Sequence, residues 1–125
     1  RLFLRNVATV FFCVSGASIA LAESPSGIWE RPSTGTRIKF YECGGGLCAK
    51  IVSVKDQARK ATVGTVIMNG AKKVSQNKWA GKILNTENGK IYSGQATFTG
   101  GGSVKLQGCL AGGVICSGET WQRAN

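Results

Sequence analysis

Cys43, Cys48, Cys109 and Cys116 are the side chains of this 125-residue chain best placed to do chemistry, and a fifth cysteine, Cys13, lies in an apolar run near the start. The chain contains no histidine. That removes every Ser-His or Cys-His catalytic pair and every imidazole metal ligand. Four thiolates could hold zinc, but the spacings here are Cys-x4-Cys and Cys-x6-Cys instead of the tight Cys-x2-Cys knuckle. A redox pair would want Cys-x-x-Cys, or a histidine or helix N-terminus to lower a thiol pKa. Two structural disulfides are the better reading, and no metal or cofactor is expected. Three connectivities are open. Cys43–Cys48 and Cys109–Cys116 are favoured, because each pair flanks a glycine-rich turn, Gly44-Gly45-Gly46 or Gly112-Gly113, that brings neighbouring strands within bridging distance.

The carboxylates Glu23, Glu30, Glu42, Asp56, Glu87 and Glu119 are scattered over turns and strand ends, without a pair whose spacing implies a shared site. No catalytic residue is assigned, and the chain is not read as an enzyme. Trp29, Trp79 and Trp121 are expected mainly in the core and at the ends of a barrel, each burying about 150–250 Å². Trp79 and Tyr92 fall on adjacent strands and are the candidates for the lining of a cavity that takes a small apolar or amphipathic ligand. Sixteen Lys and Arg against six Asp and Glu give a net charge of +10, which favours acidic partners without naming one. Most lysines alternate with apolar residues, as on a solvated face. Lys50, Lys55, Arg59, Lys60, Lys72 and Lys73 gather between the third and fifth strands and form a basic patch suited to an anionic envelope lipid or acidic polymer.

The strands that carry these residues are expected to follow a leader. Arg1 and Arg5 precede an apolar run from Val7 to Ala22, and Ala20-Leu21-Ala22 fits the small-x-small cleavage pattern of a signal peptide. The run falls short of the roughly 20 residues of a membrane-spanning helix, and Thr9, Ser15, Gly16 and Ser18 weaken it further. Residues 1–22 are therefore read as a signal peptide, with residues 23–125 as one domain of 103 residues. Losing Arg1 and Arg5 leaves a net charge of +8, and Cys13 leaves with the leader. The expected location is the periplasm or the cell exterior, where disulfides persist and a nucleic acid partner is disfavoured.

From Ile28 onward, short alternating runs are separated by turn signals every 8–14 residues or so, the pattern of an all-β meander. Strands are expected near Gly27–Arg31, Arg37–Glu42, Leu47–Val54, Val63–Met68, Lys78–Leu84, Lys90–Phe98, Ser103–Leu110 and Val114–Arg123. Among the turn signals are Asn69-Gly70, Asn88-Gly89 and Gly100-Gly101-Gly102. Only Lys55–Thr62 could hold a helical turn. Ile38 and Phe40 alternate with Arg37 and Lys39, and Val104 and Leu106 alternate with Lys105 and Gln107. Gly81, Gly94, Gly108 and Gly118 interrupt strands where a closing sheet must bend. An open eight-stranded sheet would leave one face uncovered. A small antiparallel up-and-down β-barrel of about eight strands is expected instead.

Gly27-Ile28-Trp29 on the first strand, with Trp121-Gln122-Arg123 on the last, resembles the lipocalin and calycin barrels. The resemblance implies a barrel lock formed by Gly27, Trp29, Trp121 and Arg123, with the Arg123 side chain over Trp29. More of the chain is similar to the domain-of-unknown-function family 2147. This rests on Leu47-Cys48-Ala49-Lys50-Ile51-Val52, Trp79-Ala80-Gly81-Lys82-Ile83, Glu87-Asn88-Gly89-Lys90-Ile91-Tyr92, Leu106-Gln107-Gly108-Cys109 and Thr120-Trp121-Gln122-Arg123. It implies an exported bacterial protein with a lipocalin-like barrel and brings no biochemical activity. Ala49 stands where glycine is commoner, and Lys55–Thr62 is shorter and more basic than the loop of many relatives. Two functions follow as expectations: a carrier of a small ligand, or an envelope interaction module with a basic surface and a filled interior.

Overall fold

A computed structural model describes residues 24–110 and 116–125; the expected leader at 1–22 and the glycine pair at 112–113 lie outside the described residues. The strands are β1 (Gly27–Arg31), β2 (Thr36–Cys43), β3 (Gly46–Ser53), β4 (Val66–Ser75), β5 (Lys78–Asn85), β6 (Lys90–Phe98), β7 (Ser103–Cys109) and β8 (Cys116–Arg123). They form one closed barrel in sequence order, and β1 pairs with β8 to complete it. Every pairing is antiparallel. A single 3-10 turn, Gln57–Thr62, joins β3 to β4 where a helical turn is expected, and Asp56 caps it by accepting from the Ala58 N–H at 2.9 Å.

Alternation decides which face is inside. Ile38, Phe40, Val104 and Leu106 are buried, whereas Arg37, Lys39, Lys105 and Gln107 are exposed on the same strands. The core is wholly apolar, and no charged or polar side chain is buried among the described residues. The turn Gly44-Gly45 has positive φ at both positions, +53° and +81°, and joins β2 to β3 directly through the pair Cys43↔Gly46. Two central residues of positive φ match the twist of the flanking strands, and glycine takes them without steric cost.

β4 departs from the sequence reading. The fourth strand starts at Val66, not Val63, and continues to Ser75 through Asn69-Gly70, which is not a turn. Gly70 has φ +76°, and the register of β4 against β5 shifts between Met68 and Lys72. Asn-Gly supplies a positive φ equally well to a bulge, and the bulge lets Ala71 return to the core beyond it. Gln76-Asn77 makes the actual reversal. The interior glycines have a packing role as well: Gly81, Gly94 and Gly108 sit side by side on β5, β6 and β7. A Cβ on Gly94 would lie 2.5 Å from Ile83 Cδ1, so the Ile83 side chain occupies that space.

The barrel is shut at one end. Trp29 is fully buried and meets Phe40 and Phe98 edge to face, with ring centroids 6.3 and 5.3 Å apart. The Arg123 guanidinium lies 4.3 Å from the indole centroid and donates to the carbonyls of Ser24 and Ser26. Gly27 has φ +128°, and a Cβ there would stand 2.7 Å from Arg123 Nη1. Glycine is thus required beside the guanidinium both for its backbone and for its lack of a side chain. The Cys43–Cys48 disulfide tightens this end across β2 and β3; Cys109–Cys116 fastens β7 to β8 at the other. Both are the local pairs favoured from the sequence.

Candidate functional site

The end opposite Trp29 opens into a cavity of about 120 Å³. Ile38, Ile51, Ile67, Ile83, Leu106 and Trp121 make its apolar wall and floor. Trp121 is buried and packs edge-on against Phe40, its ring centroid 6.1 Å away, so the floor rests directly on the closed-end aromatic cluster. Tyr92 completes one side. Its ring crosses Gly108 of the next strand, where a Cβ would stand 3.1 Å from the Tyr92 Cβ, and its hydroxyl accepts from Asn88 Nδ2 at 3.0 Å. Above the cavity, a polar vestibule of about 290 Å³ is bounded by Ser33, Thr34 and Asp56; Thr36, Val54, Arg59 and Glu87 border both spaces.

A chain of charges spans this mouth. Arg31, at the end of β1, donates from Nε and Nη2 to the two oxygens of Glu119 on β8, at 2.5 and 3.0 Å. Trp121 Nε1 donates to Glu119 at 2.7 Å. The remaining Arg31 nitrogen, Nη1, lies 3.4 Å from Glu87 Oε1, and Arg59 Nη2 lies 3.5 Å from Glu87 Oε2. Arg59 Nε in turn is 3.8 Å from Asp56 Oδ2. Burial pushes the Glu119 pKa up, but the hydrogen bonds from Arg31 and Trp121 and the charge of Arg31 outweigh it and hold the carboxyl below its ordinary value. Burial likewise lowers the Arg31 pKa, and the bonds and charges of Glu119 and Glu87 outweigh it to raise the net value.

Acids whose spacing in the sequence implies no shared site thus converge in the fold. Glu87 and Glu119 are 32 positions apart in sequence, yet they meet on one guanidinium: barrel closure brings β8 against β1, and Arg31 also reaches Glu87 on the turn between β5 and β6. A signal was present in the alternation. Arg31 stands two residues after the core Trp29, and Glu119 two residues before the core Trp121, so each shares the inward face of its strand.

The sequence-predicted residues divide. Tyr92 lies on the cavity wall, but Trp79 does not line the cavity. In the antiparallel register Trp79 faces Ala96, while Tyr92 faces Ile83. Adjacent strands therefore separate the two rings by four residues of extended chain, about 13 Å. Trp79 packs against the core near the closed end, with Lys73 Nζ 5.8 Å from its ring centroid. Gly27, Trp29 and Arg123 come together as the lock, whereas Trp121 belongs to the cavity floor. The basic residues are spread along the length of the barrel: Lys72 and Lys73 lie toward the closed end of β4, and Lys55, Arg59 and Lys60 follow β3 at the open end. Lys50 is in mid-strand, its ammonium 5.6 Å from the Tyr41 ring centroid. Among the described residues, no group of three or more acids and cysteines could hold a metal ion.

Comparison with solved structures gives one described by its title as "Protein HP1028 from the human pathogen Helicobacter pylori belongs to the lipocalin family". The two chains share 20% identity with a TM-score of 0.65, over 80% of this chain and 82% of the other. At that identity the likeness is one of fold. A search of the curated proteins returns no match. The family model described as "Uncharacterized protein conserved in bacteria (DUF2147)" matches residues 27–123, from the glycine beneath the Arg123 guanidinium to Arg123 itself. A match that runs the whole length of the barrel, from one half of its lock to the other, makes this chain a member of the bacterial DUF2147 family.

Proposed function

We propose that this protein is an exported carrier that holds one small amphipathic molecule in its barrel. The observation that carries the reading is a cavity shut at one end by Trp29 and Arg123, apolar within and charged at its mouth. A dry apolar cavity of about 150 Å³ is enough to hold benzene, and the space here is of the same order. It suits a single ring or a short hydrocarbon chain, with the polar end of the molecule left in the vestibule. Drug-sized ligands, which use pockets of roughly 300–1,000 Å³, exceed it.

Trp121 on the floor reports occupancy. Titration with 1-octanol is expected to change tryptophan emission saturably, and Ile83→Phe, which fills the cavity, to weaken that binding by about ten-fold or more. A linear response in both proteins, with no small molecule retained by the purified protein in native mass spectrometry, would sink the carrier reading. Export rests on the leader pattern at 1–22, and the two disulfides suit an oxidising compartment. Produced in a bacterium with this leader, the protein should collect in the periplasmic fraction, with an intact mass that starts at Glu23. Recovery as an uncleaved cytoplasmic chain would overturn this.

A further inference from the structure

Two carboxylates contact Arg31, and they are held very differently. Glu119 is gripped through both oxygens and takes a further hydrogen bond from Trp121. Glu87 stands outside the strands, on the turn between β5 and β6, with its side chain one-third exposed. Its contacts of 3.4 and 3.5 Å exceed the roughly 2.7–2.9 Å of a strong charge-assisted hydrogen bond. Each of its oxygens nevertheless faces a different guanidinium, Oε1 toward Arg31 and Oε2 toward Arg59. The space between those two cations is thus shaped for a carboxylate, and it lies where the apolar cavity meets the vestibule. The carboxylate now in it is loosely seated and on a hairpin tip that can turn to water.

We propose that Glu87 is an internal stand-in for the ligand's own carboxylate, and that the molecule carried is an acidic amphiphile. Its apolar part fills the cavity, and its carboxylate takes the place of Glu87 between Arg31 and Arg59. Exchanging one carboxylate for another leaves the charge of the mouth unchanged, and Glu119 keeps Arg31 aimed throughout. A neutral head group of the same size has no such exchange to offer, since it would leave two guanidinium groups facing an uncharged partner. This inference rests on the carrier reading and adds the ligand's head-group chemistry to it.

Octanoate and 1-octanol, which share a chain length and differ in the head group, separate the two. Glu87→Gln removes the competing carboxylate and is expected to tighten octanoate binding by about two- to five-fold relative to 1-octanol, the scale of a partly exposed ion pair. Arg59→Gln is expected to weaken octanoate binding by about ten-fold relative to 1-octanol. Both side chains are partly exposed, and an unchanged urea unfolding midpoint shows that each variant is folded. If 1-octanol binds but Glu87→Gln leaves octanoate unaffected or shifts both ligands alike, the stand-in role is overturned and the carrier reading survives. Absence of binding by either ligand overturns both.

Discussion

Trp29→Ala is expected to lower the free energy of unfolding by about 3–5 kcal/mol, the range for deleting a large aromatic from a packed core. The residue has no exposed surface and joins three elements at once. Its ring packs on Phe40 of β2 and Phe98 of β6, its face carries the Arg123 guanidinium, and its Nε1–H donates to the Pro25 carbonyl at 3.0 Å. Removing it leaves a void beneath Arg123 and strips the cation of its aromatic partner. Trp29→Phe keeps most of the burial and loses the bond to Pro25, so a smaller cost of about 1–2 kcal/mol is expected. Urea unfolding of both variants reads these values. A cost under about 1 kcal/mol for the alanine variant would mean that the closed end holds without the indole.

The second large effect is expected from the disulfides. Each closes a short loop, with sequence separations of 5 and 7. Chain entropy then gives about 2–3 kcal/mol for each. The two should not cost the same when replaced by alanine pairs. Cys48 is buried at 2% exposure, and its sulfur accepts from the Gly70 N–H at 3.3 Å, at the bulge in β4. Cys116 is exposed. Loss of Cys43–Cys48 therefore removes packing and a bulge contact as well as the crosslink, and its melting temperature should fall further than that of the variant lacking Cys109–Cys116. At about 4–8 °C per kcal/mol for a domain of this size, the difference is within reach of calorimetry. An equal or reversed order would show that the bulge contact contributes nothing.

The parts of this fold visible in the sequence are those that depend on local period and local chemistry. Alternation in Arg37–Phe40 and Ser103–Gln107 places those strands correctly, and the two cysteine pairs are legible because each joins the facing ends of two consecutive strands. Asn69-Gly70 misled, since a positive-φ glycine serves a hairpin or a bulge equally, and only the pairing with β5 distinguishes them. Trp79 was misplaced for a related reason: strand adjacency is local, but the register that separates it from Tyr92 is fixed by the whole β5–β6 hairpin. The charged mouth was least legible. Arg31 and Glu119 are 88 residues apart and meet only when the last strand closes on the first.

That closure also has a mechanical consequence. β1 and β8 share only the pairs Trp29↔Arg123 and Glu30↔Gln122, and they run antiparallel with Ser24 and Asn125 at the same end. A load applied between Ser24 and Asn125 therefore acts across the seam rather than along it. The hydrogen bonds there are met one after another instead of together, so the barrel unzips from its locked end, and the force needed is set by how Arg123 is held over Trp29.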